Sequence, residues 1–309
     1  MENKIKILCP LCNNASSKDL GKSIETFHFC DKKFSHPINS GRLLNCSYCG
    51  LSYRFPLPKE SFLLEMYSNT KSTVSWAMDT NNREDYKIIA HKINSINCKN
   101  ILEIGCFNGS LFHYINKIYK PNNEYKWYGI EPSLEASQIA SKLGIEIVGK
   151  SITEKGSQKN VKFYDLIIAI DVFEHLVNLQ EFLEVVYKLL KPGGHLILST
   201  GTTDNLSEKF LPYWNYACMP EHITFLNYKT TKYISKKYRF KLKSFDTYKN
   251  LKNLSIFSLF KLIFRSCTSI FLNLISWKIL NIKFKIIRSL GWAPLFKKDH
   301  CVVTFEKRN

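Results

Sequence analysis

From Asn100 onward, short apolar runs alternate with segments whose apolar positions recur every three or four residues. The runs Ile101–Ile104, Trp127–Ile130, Ile145–Val148, Leu166–Ile170 and His195–Ser199 predict strands. Between them, Leu111–Tyr119, Leu134–Leu143 and Leu179–Leu190 predict amphipathic helices. Continuously apolar strands separated by helices imply an α/β fold: a parallel, Rossmann-like sheet with helices on both faces. Upstream, Phe62, Leu63, Met66 and Tyr67, then Tyr86, Ile89, Ala90 and Ile93, give broken helical spacing over residues 60–96. Downstream come a long loop (Gly201–Glu221), a helix near Tyr228–Tyr238, a strand near Phe240–Asp246 and a last strand, Cys301–Phe305. Residues 1–58 are polar and turn-rich, closed by Pro56 and Pro58. The expected organisation is an N-terminal module (1–58), an α/β core (59–248), an insertion (249–298) and a final core strand with its tail (299–309).

Composition sharpens this picture. The 309 residues are 45% hydrophobic and 23% charged, an ordinary globular balance that excludes disordered and fibrous classes. The net charge of +18 points to an anionic partner. Ten of the basic residues lie between Thr247 and Lys298, a span without Asp or Glu, which leaves +8 elsewhere. Within it, Leu254–Phe264 and Ile270–Ile287 have helical spacing, with Lys and Arg among Phe, Leu, Ile and Trp277. Its longest uncharged run, Ser266–Trp277, is twelve residues, too short to span a bilayer. Cationic amphipathic helices lie in the interface of anionic membranes, so peripheral docking beside a lipid-linked acceptor is one expectation. A helical cap packed on the core is the other. Nucleic acid would explain the charge but not the aliphatic density, and no RNA-binding module is present. The start lacks an apolar leader, and ten cysteines without one favour a reducing, cytoplasmic setting, with any membrane contact on the inner face.

Two features carry chemistry. After the first strand of the α/β pattern, Glu103-Ile104-Gly105-Cys106-Phe107-Asn108-Gly109 forms a tight turn into a helix. Glu131 ends the next strand, where an acid can accept both ribose hydroxyls of a nucleoside. A dinucleotide turn needs glycine where Phe107 stands, so the backbone could not approach a pyrophosphate. S-adenosylmethionine, which has no phosphates, fits better. The second feature is a pair of C-x-x-C knuckles, Cys9-Pro10-Leu11-Cys12 and Cys46-Ser47-Tyr48-Cys49. Two such knuckles predict a closed, four-cysteine structural zinc site, with a redox dithiol or a coincidental pairing as the alternative. His28, Cys30 and His36 lie between the knuckles and are available to replace one ligand.

Four segments taken in order resemble class I S-adenosylmethionine-dependent methyltransferases: Ile101–Gly109, Tyr128–Ser133, Tyr164–Leu176 and Leu190–Leu198. The resemblance implies a seven-stranded sheet. It also implies cofactor contacts from Glu103, Gly105, Cys106 and Gly109 along the methionine and ribose, and from Glu131 and Pro132 at the ribose diol. Ser151 and Ile152 would flank the adenine, and Asp171 would lie beside the cofactor. The stretch Cys46–Tyr53 followed by Pro56 and Pro58 resembles the zinc module of bacterial sugar and surface-polysaccharide methyltransferases. The expected acceptor is therefore a sugar, nucleotide-linked or lipid-linked. The alternatives are a quinone-like or other small lipid, or a cofactor-binding protein without turnover.

Methyl transfer to a hydroxyl or carbon acid needs a base, and histidine is the usual one near neutral pH. Two Glu-His pairs stand out, Glu174-His175 after the fourth strand and Glu221-His222 after the loop carrying Tyr213, Trp214 and Tyr216. The expected catalytic residues are His222 first, then His175, with Glu221 and Tyr216 beside them. The resemblance implies a proton-abstraction role for Glu221-His222 in sugar C-methyltransferases. In ubiquinone-pathway O-methyltransferases it implies a divalent metal at the positions matching Asp171, Glu174 and His175.

Overall fold

The computed structural model describes residues 7–23, 25–29, 32–38, 41–69, 83–119, 125–153, 163–249 and 298–308. The basic insertion, apart from Lys249 and Lys298, and Cys30 lie outside the described residues.

The N-terminal part forms five short strands: β1 (Ser17–Lys22), β2 (Thr26–Phe29), β3 (Lys32–Ile38), β4 (Arg42–Cys46) and β5 (Ser52–Phe55). They are more regular than a turn-rich, polar stretch suggests. Their outward positions are exposed, and their backbone bonds are made between neighbouring strands. Two helices follow, α1 (Glu60–Ser68) and α2 (Glu84–Ser95). The core then runs β6 (Asn100–Ile104), α3 (Ser110–Tyr119), β7 (Lys126–Ile130), α4 (Leu134–Lys142), β8 (Glu146–Gly149), β9 (Tyr164–Ile170), α5 (Leu179–Leu189) and β10 (Leu190–Gly201). After it come α6 (Asn215–Cys218), β11 (Thr224–Phe225), α7 (Tyr228–Lys237), β12 (Phe240–Tyr248) and β13 (His300–Lys307).

Helix starts follow local capping chemistry. Asn178 and Asn227 accept hydrogen bonds from Glu181 N (3.2 Å) and Thr230 N (2.8 Å), which fixes the first turns of α5 and α7. Most boundaries shift by one or two residues from the apolar pattern. Strand β10 begins earlier than its apolar run, at Leu190, because Lys191–Gly194 runs on as a register irregularity beside β9.

The main sheet has the order β12-β13-β10-β9-β6-β7-β8. Strands β6 to β10 are parallel, and β13 is antiparallel to both of its neighbours. This is the expected seven-stranded methyltransferase sheet. Its chain order reverses between β6 and β9, so the binding crevice lies beyond their carboxyl ends. Alternate residues pack on opposite faces. Leu102, Ile104, Ile167 and Leu198 share one core cluster with Leu183 and Val186 of α5. Ile101, Leu166, Ile168 and Ile197 share another with Ile89 and Ile93 of α2.

The cysteine-bearing strands do not form a detached unit. A second sheet has the order β1-β4-β5-β11, and its last strand belongs to the core segment. Thr224 pairs with Tyr53 and Phe225 with Ser52. Leu43, Leu211, Trp214, Ala217 and Phe225 make a small core across this join. Trp214 is 1% exposed there. Replacing it with alanine removes its ring packing on Phe225 of β11 and empties the cluster it shares with Leu43 of β4, so Trp214→Ala should lower the unfolding free energy by about 3–5 kcal/mol. Urea denaturation checks this, and a loss under about 1 kcal/mol would mean that the join contributes little.

Candidate active site

A cavity of about 1230 Å³ opens at the carboxyl ends of β6, β7 and β9. At one end is the glycine turn. Gly105 and Gly109 have φ of 70° and 78°, and Phe107 itself has φ of 46°. A Cβ on Gly105 would stand 2.6 Å from Val172 Cγ2, so both the backbone angle and the space require glycine. The turn is tied to β7 by Gly105 N donating to Ile130 O (2.8 Å). Glu131 accepts from Phe107 N (2.9 Å) and Ser133 N (2.8 Å), so its carboxylate is held rigidly at the turn. Burial pushes this carboxyl up to about 7, against the two amides that favour its ionised form. Glu103 is buried beneath the turn and accepts from Trp127 Nε1 (3.0 Å); burial raises it to about 8.

Of the residues expected around the cofactor, Glu103, Gly105, Cys106, Glu131, Pro132, Ser151, Ile152 and Asp171 all line this cavity. Gly109 does not; it sits behind the turn, close against Ile145 and Leu143. Asp171 is held at φ 51° and accepts from Arg83 Nη2 (2.7 Å). Burial would raise its carboxyl, but the Arg83 guanidinium keeps it below the ordinary value. Arg83 also grips Asp85 (2.6 Å), which accepts from Ser199 Oγ (3.3 Å).

At the other end, the two Glu-His pairs converge. Glu174, on a 3-10 turn over Phe173–His175, is fully buried and accepts from Tyr216 Oη and from Thr200 Oγ1 (2.8 Å). Burial, then the charge of Asp171, pushes it up to about 7. His222 Nδ1 lies 2.7 Å from the Tyr216 carbonyl. That oxygen can only accept, so Nδ1 carries the proton and Nε2 keeps the lone pair. His175 Nδ1 lies 3.0 Å from the Glu221 carbonyl and 2.8 Å from Tyr67 Oη, which assigns it the same tautomer. The two imidazole rings are 4.8 Å apart, and Tyr216 packs on His222 with centroids 4.0 Å apart and the rings tilted by 44°. Burial lowers both histidines below the ordinary value, His222 strongly, with His175 adding to it. Two neutral imidazoles and a buried carboxyl are therefore assembled at the cavity wall.

The structure brings Glu174 and His175 together with His222 in a group able to hold a metal ion, in place of the Asp171 grouping that the resemblance implied. Asp171 turns to Arg83, and both Glu174 oxygens accept hydrogen bonds from the protein. That donor set suits proton handling better than a cation. Glu221 lines the cavity and contributes its backbone carbonyl to His175. Tyr67, Arg83 and Thr200 were not singled out from the sequence. Tyr67 reads there as a packing position of α1, and Arg83 only as the residue before a helix.

The four knuckle cysteines also meet. Cys9 and Cys49 Sγ are 3.6 Å apart, Cys12 and Cys46 3.5 Å, and all four sulfurs lie within 4.8 Å of one another. Tetrahedral zinc with bonds of about 2.3 Å needs sulfurs about 3.8 Å apart, so this group fits it. The hydrogen bond from Cys49 lowers Cys9 to about 6, while burial raises Cys12 to about 12. His28 and His36 are exposed on the β2–β3 hairpin, and neither belongs to this group.

A family model described as a methyltransferase domain matches residues 78–244, over half of the chain. The chain belongs to this methyltransferase family. Its sheet order is that of the methyltransferase fold, with the glycine turn at the carboxyl end of β6. The ubiquinone biosynthesis O-methyltransferase of Rattus norvegicus mitochondria is 30% identical over 115 residues, 35% of this chain and 32% of that protein. The Rickettsia conorii protein described by the same activity is 28% identical over 160 residues, 48% of this chain and 54% of its own length. This methyltransferase thus spans about a third to a half of the length of the curated relatives it matches. A chain in the complex between the Haloferax volcanii Trm112 methyltransferase activator and a methyltransferase shares the fold, with a TM-score of 0.50 at 10% identity, covering 76% of this chain and 96% of that one. An Archaeoglobus fulgidus S-adenosylmethionine-dependent methyltransferase has a TM-score of 0.46 at 14% identity, covering 81% and 100%.

The buried acids make stability depend on pH in a definite direction. Glu103, Glu131 and Glu174 titrate near 4.5 unfolded but near 7 to 8 when folded. Their contribution is full below about pH 4.5 and is lost as pH rises through 7 to 8. His175 and His222 run the other way, losing stability as pH falls below 6.5. Between pH 8 and pH 6.5 the carboxyls dominate, so zinc-loaded, cofactor-free protein should melt higher as pH falls. Glu174→Gln should flatten that slope. Thermal melts across the window check it, and a wild-type melting temperature that falls instead would contradict it.

Proposed function

We propose that this methyltransferase transfers a methyl group to a hydroxyl oxygen, with His222 as general base. The observation that carries this reading is the neutral His222 ring at the cavity wall, its Nδ1 pinned by the Tyr216 carbonyl. S-adenosylmethionine, when bound, supplies an electrophilic methyl on a sulfonium with S-adenosylhomocysteine as leaving group. Gly105, Phe107 and Glu131 would hold it by the turn and the ribose diol. The acceptor oxygen must approach in line with the sulfur–carbon bond. As the acceptor oxygen takes the methyl group, its hydroxyl proton would pass to His222 Nε2. The resulting imidazolium is stabilised by the Tyr216 carbonyl and releases its proton to solvent. Glu174 fixes Tyr216, whose ring fixes the His222 plane.

The acceptor we favour is a hydroxylated aromatic ring on a lipid. Leu63, Leu64, Leu176, Val177 and Met219 give the cavity an apolar wall beside Tyr67. The Rattus and Rickettsia relatives are ubiquinone biosynthesis O-methyltransferases, in line with this class. A sugar acceptor is the second reading, favoured by the four-cysteine group on the N-terminal strands, which fits zinc. In either case we read the basic segment as meeting an anionic membrane surface, since Lys249 and Lys298 on its flanks both line the cavity.

Transfer of radiolabelled methyl from S-adenosylmethionine decides between them. An alkylated catechol should be labelled in preference to nucleotide-sugars. His222→Gln should lower kcat about 100-fold with little change in KM for the methyl donor. Label on the nucleotide-sugar alone would favour the second reading. An unchanged kcat in His222→Gln would remove His222 as the base.

A further inference from the structure

Residues 217–223 carry His222 and lead from the end of α6 into β11, and only Ala217 and Cys218 of this stretch are helical. Their carbonyl groups therefore need partners from elsewhere. One side chain meets three of them. Arg54, on β5, donates from Nη2 to Ala217 O (2.6 Å) and Met219 O (3.1 Å), and from Nε to His222 O (3.2 Å). Its backbone N–H also donates to Ile223 O (2.8 Å). Arg54 is 3% exposed, so water cannot take over these bonds.

The other flank of the same segment is tied to the Glu174 turn. Ile223 N donates to Glu174 O (2.7 Å), Thr224 Oγ1 to Phe173 O (2.9 Å), and His175 Nδ1 to Glu221 O (3.0 Å). The segment is thus strung between a strand of the cysteine hairpin and the turn that carries Glu174 and His175. Cys46 N bonds Leu51 O (2.8 Å) directly before β5, so the second knuckle and Arg54 belong to one hairpin.

We propose that Arg54 is a positioning residue: its guanidinium, anchored on the cysteine hairpin, sets the backbone of residues 217–222 and thereby the placing of His222 and Tyr216. The planar guanidinium presents separate N–H groups to three carbonyls at once. A lysine ammonium keeps the charge but is a single point that cannot span them. A positional role therefore separates from a charge role by substitution. The inference rests on the reading of His222 as the base only for its kinetic consequence, not for its structural one.

The test uses the full, zinc-loaded chain as wild type, Arg54→Lys, Arg54→Met and His222→Gln, with S-adenosylhomocysteine bound for the exchange measurements only. Zinc content and S-adenosylhomocysteine affinity should stay within about threefold of wild type in both Arg54 variants. Amide hydrogen exchange in peptides covering 217–223 should speed up at least tenfold in both, and lysine should not rescue it. With the alkylated catechol as acceptor, kcat should fall about tenfold or more while KM for S-adenosylmethionine stays unchanged. Unchanged exchange in 217–223 overturns the proposal. So does full recovery by lysine, which would leave only a charge role, or a loss of zinc and cofactor binding together, which would make Arg54 a general folding residue. Exchange altered by Arg54 substitution, with kcat unchanged in His222→Gln, would retain the positioning role and refute the base instead.

Discussion

A strand of two residues, Thr224–Phe225, carries much of this architecture. It belongs to the core segment, yet its neighbour in a sheet is β5 of the cysteine hairpin. The pairing brings Glu221 and His222, separated from it by Ile223, against the Glu174 turn. It also makes the N-terminal strands a wall of the molecule's own core, since Cys9, Cys46, Leu51 and Tyr53 share a cluster with Leu102 and Ile167. A zinc ion held by the four cysteines would brace the hairpin from which this strand hangs. Bracing of this kind acts on the acceptor end of the cavity and leaves the glycine turn untouched.

The two ends of the cavity are built by different physics. The glycine turn is a backbone device: left-handed residues at 105, 107 and 109 and a carboxylate held by two amides. The acceptor end is a side-chain device, in which burial sets the protonation of Glu174, His175 and His222 and backbone carbonyls set the tautomers. Asp171 stands between them. Its strained φ of 51° turns its carboxylate to Arg83, next to the place where β6 and β9 diverge. Such strain persists where the surroundings over-determine it, and here two charges and a packed sheet do so.

Much of this was readable from residues alone. Five parallel strands, their helices, the glycine turn and the acid that ends β7 follow from hydrophobic period and local turn chemistry, because each is a local property. The four cysteines were readable because metal geometry constrains spacing. The convergence of Glu174-His175 with Glu221-His222 was not, because it depends on β11 pairing across 171 positions of sequence with β5. The metal grouping implied at Asp171, Glu174 and His175 gave way to one with His222 for the same reason. Arg54 and Tyr67 carry no pattern of their own: an arginine in a short strand and a tyrosine on a helix look like ordinary surface and packing positions. In the proposed function the sugar acceptor expected from the cysteine phrase stands second to an aromatic one, on the strength of the apolar side chains in the cavity wall.

The central claim is that one crevice, centred on Glu131 and the Gly105–Gly109 turn, binds S-adenosylmethionine. Calorimetric titration of zinc-loaded protein with S-adenosylhomocysteine, comparing wild type with Glu131→Ala, tests it most directly. The account predicts micromolar binding by wild type and a loss of at least about 100-fold, near 2.7 kcal/mol, in the variant. Equal binding by both proteins would contradict the placement of the ribose, and no binding by folded wild type would contradict the cofactor site itself.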